Sequence, residues 1–134
     1  MKVLSIKQPY ASLIAYGIKK YEFRTWNTKY RGEVLIHASK GVDKKAMEEF
    51  KCYNLDYPVG CIIAKVNIID SIKVDNNFRG VLDSENSFVY NHVIMDKIWQ
   101  GYGFKMDNVK LIKPIYINGK LGLWNYDGKI SFRE

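Results

Sequence analysis

Lys19, Lys20, Glu22, Arg24 and Trp26 fall within eight consecutive positions of a 134-residue chain. The run Lys20-Tyr-Glu-Phe-Arg24 alternates polar and apolar residues, which predicts a strand whose successive side chains face opposite ways. Tyr21 and Phe23 then point into a core. Lys20, Glu22 and Arg24 point the other way, and Trp26 joins them if the chain stays extended. A carboxylate beside ammonium and guanidinium groups stays ionised, and neighbouring cations push a lysine's pKa down. A lysine made neutral near pH 7 can act as a base. Read more simply, the same residues form a surface ion pair of little stabilising value. Trp26 and Tyr30 beside Arg24 offer a stacking platform for a nucleobase, or ordinary packing.

Other chemistries find little support. His37 and His92 are far apart, and neither stands at ligand spacing from a carboxylate or thiol, so no metal is expected. No glycine-rich phosphate loop is present; Gly101-Tyr-Gly103 is too short to cradle a phosphate. No Gly-x-Ser-x-Gly nucleophile motif occurs, and nothing calls for a cofactor. Cys52 and Cys61 are nine positions apart, a spacing of neither a zinc knuckle nor a redox pair. They read as free thiols in a reducing cytoplasm.

The pattern also gives the elements that must position the polar face. Lys2 to Ile6 reads as a first strand. Gln8-Pro9 opens a short helix with Ala11, Leu13, Ile14 and Ile18 on its apolar stripe, and Gly17 stops it. Residues 27–32 form a polar loop. Glu33 to Ser39 is a strand with Val34, Ile36 and Ala38 on one face and Leu35, His37 and Ser39 on the other. Asp43 caps a helix carrying Ala46, Met47 and Phe50. Cys61 to Asp70 reads as a strand buried on both faces. Asp75-Asn-Asn reads as a loop. Ser87 to Gln100 reads as a helix burying Val89, Val93, Ile94, Ile98 and Trp99. Tyr102 to Met106 and Val109 to Ile117 are extended, with Pro114 at a bend or edge. Asn118-Gly119 signals a hairpin leading into a strand over 120–126. Five or six strands with two or three helices, not strictly alternating, predict an α+β domain on a small mixed barrel, spanning 1–134.

Composition sets the partner class. The balance of 47% hydrophobic and 26% charged residues is that of a globular domain. The net charge is +7, and residues 19–45 carry eight Lys and Arg against three acids. That favours an anionic partner such as nucleic acid or nucleotide. No apolar run approaches the roughly 20 residues of a membrane span, and the N-terminus does not read as a signal peptide. The expectation is a soluble cytoplasmic protein without membrane contact, a monomer or weak dimer.

Gly17, Lys19, Glu22 and Arg24 fit the GxKxxExR signature of ASCH domains, and in this the chain resembles that PUA-like family. Leu4-Ser-Ile-Lys-Gln-Pro-Tyr-Ala11 resembles the family's opening segment. Thr25-Trp26, Tyr30-Arg-Gly32 and Leu35-Ile-His-Ala-Ser39 resemble its next segments, and Gly119-Lys-Leu-Gly-Leu-Trp124 its close. The resemblance spans the chain except residues 71–100. It implies a PUA-like β-barrel flanked by helices, with a cleft that recognises RNA or a nucleotide. It places Ser5, Gln8, Lys19, Glu22, Arg24, Thr25, Trp26, His37 and Ser39 at the ligand. It also moves the weight from Lys20 to Lys19. Some relatives are amidohydrolases that deacetylate acetylated cytidine nucleosides with a lysine, a threonine and a glutamate. Lys19 matches their lysine, but Glu22 stands where their threonine stands, and Asp70 is a candidate for their glutamate. The alternative to binding is therefore a hydrolase acting on a modified nucleoside or on RNA, with Lys19 and Glu22 as its catalytic pair.

Overall fold

The computed structural model describes residues 1–93 and 98–134, and for residues 92 and 93 the backbone only. Strand β1 (Lys2–Gln8) leads into helix α1 (Tyr10–Ala15), and β2 (Tyr21–Arg24) and β3 (Gly32–Val42) come next. Helix α2 (Lys44–Glu49) and a short 3-10 turn (Lys51–Tyr53) precede β4 (Cys61–Lys73). Helix α3 (Asn76–Val93), β5 (Tyr102–Tyr116) and β6 (Leu123–Asn125) complete the chain. The strands form one mixed sheet in the order β2-β5-β4-β3-β1-β6. β1 runs parallel to β3, and the remaining neighbours are antiparallel.

The expected barrel is corrected to a six-stranded sheet whose backbone ladder is not closed. β2 and β6 are its edges. The sheet nevertheless curls, because Arg24 on β2 reaches the Ser5 carbonyl on β1 at 2.6 Å. A side chain makes the contact where backbone pairing would close a barrel.

Alternation governs the core. Leu4, Ile6, Val34, Ile36, Val66, Ile68, Phe104 and Met106 pack with Ala11 and Ile14 of α1. Val3, Leu35, Ile62, Ile112 and Trp124 pack on the other face. A third cluster joins Leu13 and Tyr21 to Phe78, Leu82, Val89 and Tyr90 of α3. Gly17 takes a positive φ of 76° as α1 ends, a conformation that a Cβ disfavours. Asp43 caps α2 by accepting the Ala46 N–H at 3.1 Å, as its position predicts.

Four expectations are corrected. Asp75-Asn-Asn is not a loop: the Asp75 carboxylate accepts the Phe78 N–H at 2.8 Å, and Asn76 and Asn77 already lie in α3. α3 breaks at Asn86, whose side-chain Oδ1 accepts the Val89 N–H at 3.2 Å and so caps its second half. Ile98, expected on the buried side, is 85% exposed. Val89 is buried and Trp99 partly buried, while Ile94 and the Val93 side chain lie outside the described residues. Finally, Asn118-Gly119 makes no hairpin. β6 leaves β5 and pairs with β1, placing Trp124 opposite Val3. The single strand β5 replaces the two extended segments drawn from the sequence.

Candidate functional site

A cleft of about 930 Å³ opens where β2 approaches β1 and β3. Most of its lining comes from four short pieces of chain, Ser5 to Lys7, Glu22 to Trp26, His37 to Lys40 and the connection 118–122, and Tyr10, Gly60 and Trp99 complete it. Strand geometry explains the grouping. Ser5 and Lys7, Glu22 and Arg24, and His37 and Ser39 are each two residues apart on one strand, so each pair shares a face.

Glu22 sits at the base of the cleft between two cations. Lys19 Nζ donates to Glu22 Oε1 at 3.0 Å, and Arg24 Nε and Nη2 donate to Oε2 at 3.1 and 2.9 Å. Burial alone would raise the Glu22 carboxyl. Lys19 and Arg24 outweigh it and hold the group below the ordinary carboxylate range. Glu22 is therefore an anion at neutral pH. Burial pushes the Lys19 ammonium below its usual value, and Glu22 opposes that push.

Lys19 does not line the cleft. The main chain turns after α1, with the Ile18 and Lys19 N–H groups bonded to the Leu13 carbonyl. This sends the Lys19 side chain inward, where it is 0% exposed. Its ammonium also donates to the Tyr21 carbonyl and lies 5.0 Å from the centre of the Phe23 ring. It supports Glu22 from behind. Lys20 is exposed, and its N–H donates to the Tyr90 hydroxyl at 2.9 Å.

The other expected residues divide clearly. Ser5, Glu22, Arg24, Thr25, Trp26, His37 and Ser39 line the cleft together. Gln8 does not. It is fully buried, donating to Ser12 Oγ and the Pro58 carbonyl at 2.8 Å each, and it ties the start of α1 to the link before β4. Tyr30 also stands outside the lining, with its hydroxyl donating to the Glu33 carbonyl at 2.6 Å. Asp70 lies away from the cleft, exposed and 3.7 Å from Arg31. Trp26 packs edge-on against Phe104, with ring centres 5.2 Å apart.

Sequence reading missed Lys7, Lys40, Trp99 and Lys120, all in the lining. Lys7 was legible in principle, since it shares a strand face with Ser5. Trp99 was not, because its place depends on how the chain returns from α3. Among the described residues no three His, Cys, Asp or Glu side chains come together to hold a metal. No helix among them is long and apolar enough to cross a membrane.

The same fold occurs in solved structures. The ASCH protein of Zymomonas mobilis matches with a TM-score of 0.58 at 18% identity, over 87% of this chain and 72% of that one. A point mutant of that protein matches with a TM-score of 0.56, over 85% and 73%. The architecture is thus that of an ASCH-type α+β domain. The ASCH domain profile covers residues 4–117, and the chain belongs to the ASCH domain family. It is also 37% identical over 143 residues to Activating signal cointegrator 1 of Homo sapiens and 29% identical to that of Mus musculus. Each alignment takes in 95% of this chain but only 22% of the relative's length.

Proposed function

We propose that the cleft binds single-stranded RNA or a nucleotide. The observation that carries this reading is the composition of one concave space. Lysines 7, 40 and 120 rim it, Trp26 and Trp99 contribute its aromatic surface, and the Glu22–Arg24 pair lies at its base. Its size falls within the roughly 300–1,000 Å³ of ordinary ligand sites. The rim lysines meet phosphate, an indole stacks a base, and hydroxyls of Ser5, Thr25 and Ser39 complete the polar contacts. Glu22 orients Arg24 or takes a base edge. Lys19, behind Glu22, acts through it and leaves phosphate to the rim. The RNA association of the family supports the same reading.

Titration of a labelled RNA hexamer at two salt concentrations tests it. Affinity should fall steeply with salt, and each rim-lysine substitution to Ala should reduce the logarithmic salt slope by about 1. Trp26→Ala should weaken binding by about 1–3 kcal/mol if a base stacks there. No binding at low salt, or binding indifferent to all three lysines, refutes the proposal.

A hydrolase is the second reading. It is favoured by a carboxylate held ionised at the base of the cleft, with an ammonium 3.0 Å behind it. Glu22 would then position a water, and Lys19 would set the charge of Glu22. Incubation with acetylated cytidine and with RNA tests it. Turnover that survives both Glu22→Gln and Lys19→Met removes these assigned roles.

A further inference from the structure

Four groups beside the cleft are joined in one line. Trp124 Nε1–H donates to Ser5 Oγ at 3.1 Å. Ser5 Oγ lies 3.2 Å from His37 Nδ1. His37 Nε2 lies 2.7 Å from the Ile117 carbonyl oxygen. The two ends fix the direction of the line, because an indole nitrogen only donates and a carbonyl only accepts. His37 Nε2 therefore carries a proton. In the neutral ring Nδ1 is then an acceptor, and the Ser5 hydroxyl hydrogen points at it. Ser5 lines the cleft, yet in this state it has no hydrogen to offer a ligand.

A second proton on His37 reverses the middle bond. Nδ1–H then donates to Ser5 Oγ, which receives two N–H groups and turns its own hydrogen toward the cleft. A hydroxyl has two lone pairs and one hydrogen, so this arrangement uses all three when a ligand oxygen accepts the last. The alternatives are poor. A ligand that takes the Ser5 hydrogen while His37 stays neutral leaves Nδ1 without a donor in a residue only 1% exposed. Moving the ring proton to Nδ1 instead sets the Nε2 lone pair against the Ile117 oxygen.

We propose that Ser5 and His37 form a proton-coupled anion subsite, in which a phosphoryl oxygen accepts from Ser5 as His37 takes up a proton. This rests on the nucleotide-binding reading and assigns a phosphate position within that site. The surrounding charges favour an anion over a neutral acceptor. Lys7 on β1, Arg24 on β2, Lys40 on β3 and Lys120 in the 118–122 connection face the cleft, with Glu22 of opposite sign. β4 places Ile62 beside His37, and β6 sets the Trp124 ring edge-on to the imidazole at 5.7 Å, so neither adds charge. A further positive charge here is best balanced by a bound anion. His37, buried behind Ser5, is a positioning residue.

Calorimetric titration with the RNA hexamer, in buffers of different ionisation enthalpy at about pH 7.5, counts the protons taken up. The expected result is uptake of up to one proton per RNA bound. Affinity should rise as pH falls, by up to tenfold per unit wherever a full proton is taken up on binding. His37→Gln should bind without uptake and without this pH dependence. Ser5→Ala should lose the uptake and bind about tenfold more weakly, the loss of one hydrogen bond to a charged group. Because the chain has two histidines, the wild-type protein gives an independent reading. The imidazole resonance absent from His37→Gln should move to its protonated position on adding RNA at pH 7.5. Inorganic phosphate and cytidine separate the sources of the effect. Uptake with phosphate assigns the subsite to the anion itself, and uptake with cytidine alone overturns its anionic character. RNA that binds with no proton uptake, or with uptake intact in His37→Gln, overturns this inference and leaves the binding reading standing. Failure of RNA to bind at low salt removes both.

Discussion

The Arg24 guanidinium donates to the Ser5 carbonyl at 2.6 Å, joining the edge strand β2 to β1, which lies beyond β5, β4 and β3 in the same sheet. The same guanidinium holds both Glu22 contacts through Nε and Nη2. One planar fork thus fixes the curl of the sheet and the charge at the base of the cleft. Arg24→Lys should fail to replace it, because an ammonium on a flexible stem cannot reproduce the fork. We expect Arg24→Ala to lose about 2 kcal/mol in urea unfolding, in the range for hydrogen bonds to charged groups. Arg24→Lys should recover less than half of that. A lysine variant as stable as wild type would show that the fork geometry is dispensable.

Lys19→Met should be costly although the residue never meets solvent. Removing one partner of a buried ion pair leaves the other's charge poorly compensated, at a cost of about 3–5 kcal/mol. Arg24 still holds one Glu22 oxygen, which places the expected loss near the lower end. Combining Lys19→Met with Glu22→Gln should restore part of the stability, and a double-mutant cycle measures the coupling. A loss below about 1 kcal/mol for the single variant would contradict a charged Lys19.

Acid should act through Glu22. Its folded-state pKa lies below the unfolded one, so the unfolded chain binds more protons between the two. The stabilisation is fully present above the ordinary glutamate value of about 4.3. It is lost as pH falls through the lower, folded value. Urea midpoints measured from neutral pH downward should drop more steeply for wild type than for Glu22→Gln. Parallel acid limbs would mean that other carboxylates carry the effect.

Gly119→Ala should disturb the cleft without touching its charges. A Cβ there would lie 2.6 Å from Ser5 Oγ and 2.7 Å from His37 Cε1, inside any tolerated contact. Either the connection 118–122 moves outward or the Ser5–His37 contact breaks. We expect a loss of about 1–3 kcal/mol, as for overpacking elsewhere. A shift in Trp124 fluorescence should accompany it, since that indole bonds to Ser5. An alanine variant with unchanged stability and fluorescence would show that the connection yields freely.

Much of this was legible because strands declare their faces. The alternation of 20–24 separated Tyr21 and Phe23 from Glu22 and Arg24, and that of 33–39 separated Val34 and Ile36 from His37 and Ser39. Alternation also put Lys20 on the polar face, where the structure leaves it exposed and turns Lys19 inward. A period of two says nothing about a residue just before the strand begins. The Asn118-Gly119 signal is a local preference, and burial of Trp124 against Val3 on the far side of the sheet outweighed it. Asp75 looked like part of a loop because aspartate serves turns and helix caps equally well. Only the packing of Phe78 and Leu82 beneath α3 settles which. The curl that makes the cleft was invisible, since it depends on contacts between residues about twenty positions apart.

Trp99 reaches the cleft from a different source than its neighbours. Its carbonyl accepts from Arg79 Nη2 at 2.8 Å, within the first half of α3, and its ring lies over Gly101, where any Cβ would collide with it. Most of the remaining lining hangs from β1, β2, β3 and the approach to β6, with Tyr10 of α1 and Gly60 before β4 added to it. One wall is therefore hung on a helix and the base on a sheet. The two are coupled, because the Trp99 ring meets Phe23 of β2 edge-on at 6.5 Å and Tyr90 of α3 accepts the Lys20 N–H, so a movement of α3 would reach the strand that carries Glu22 and Arg24.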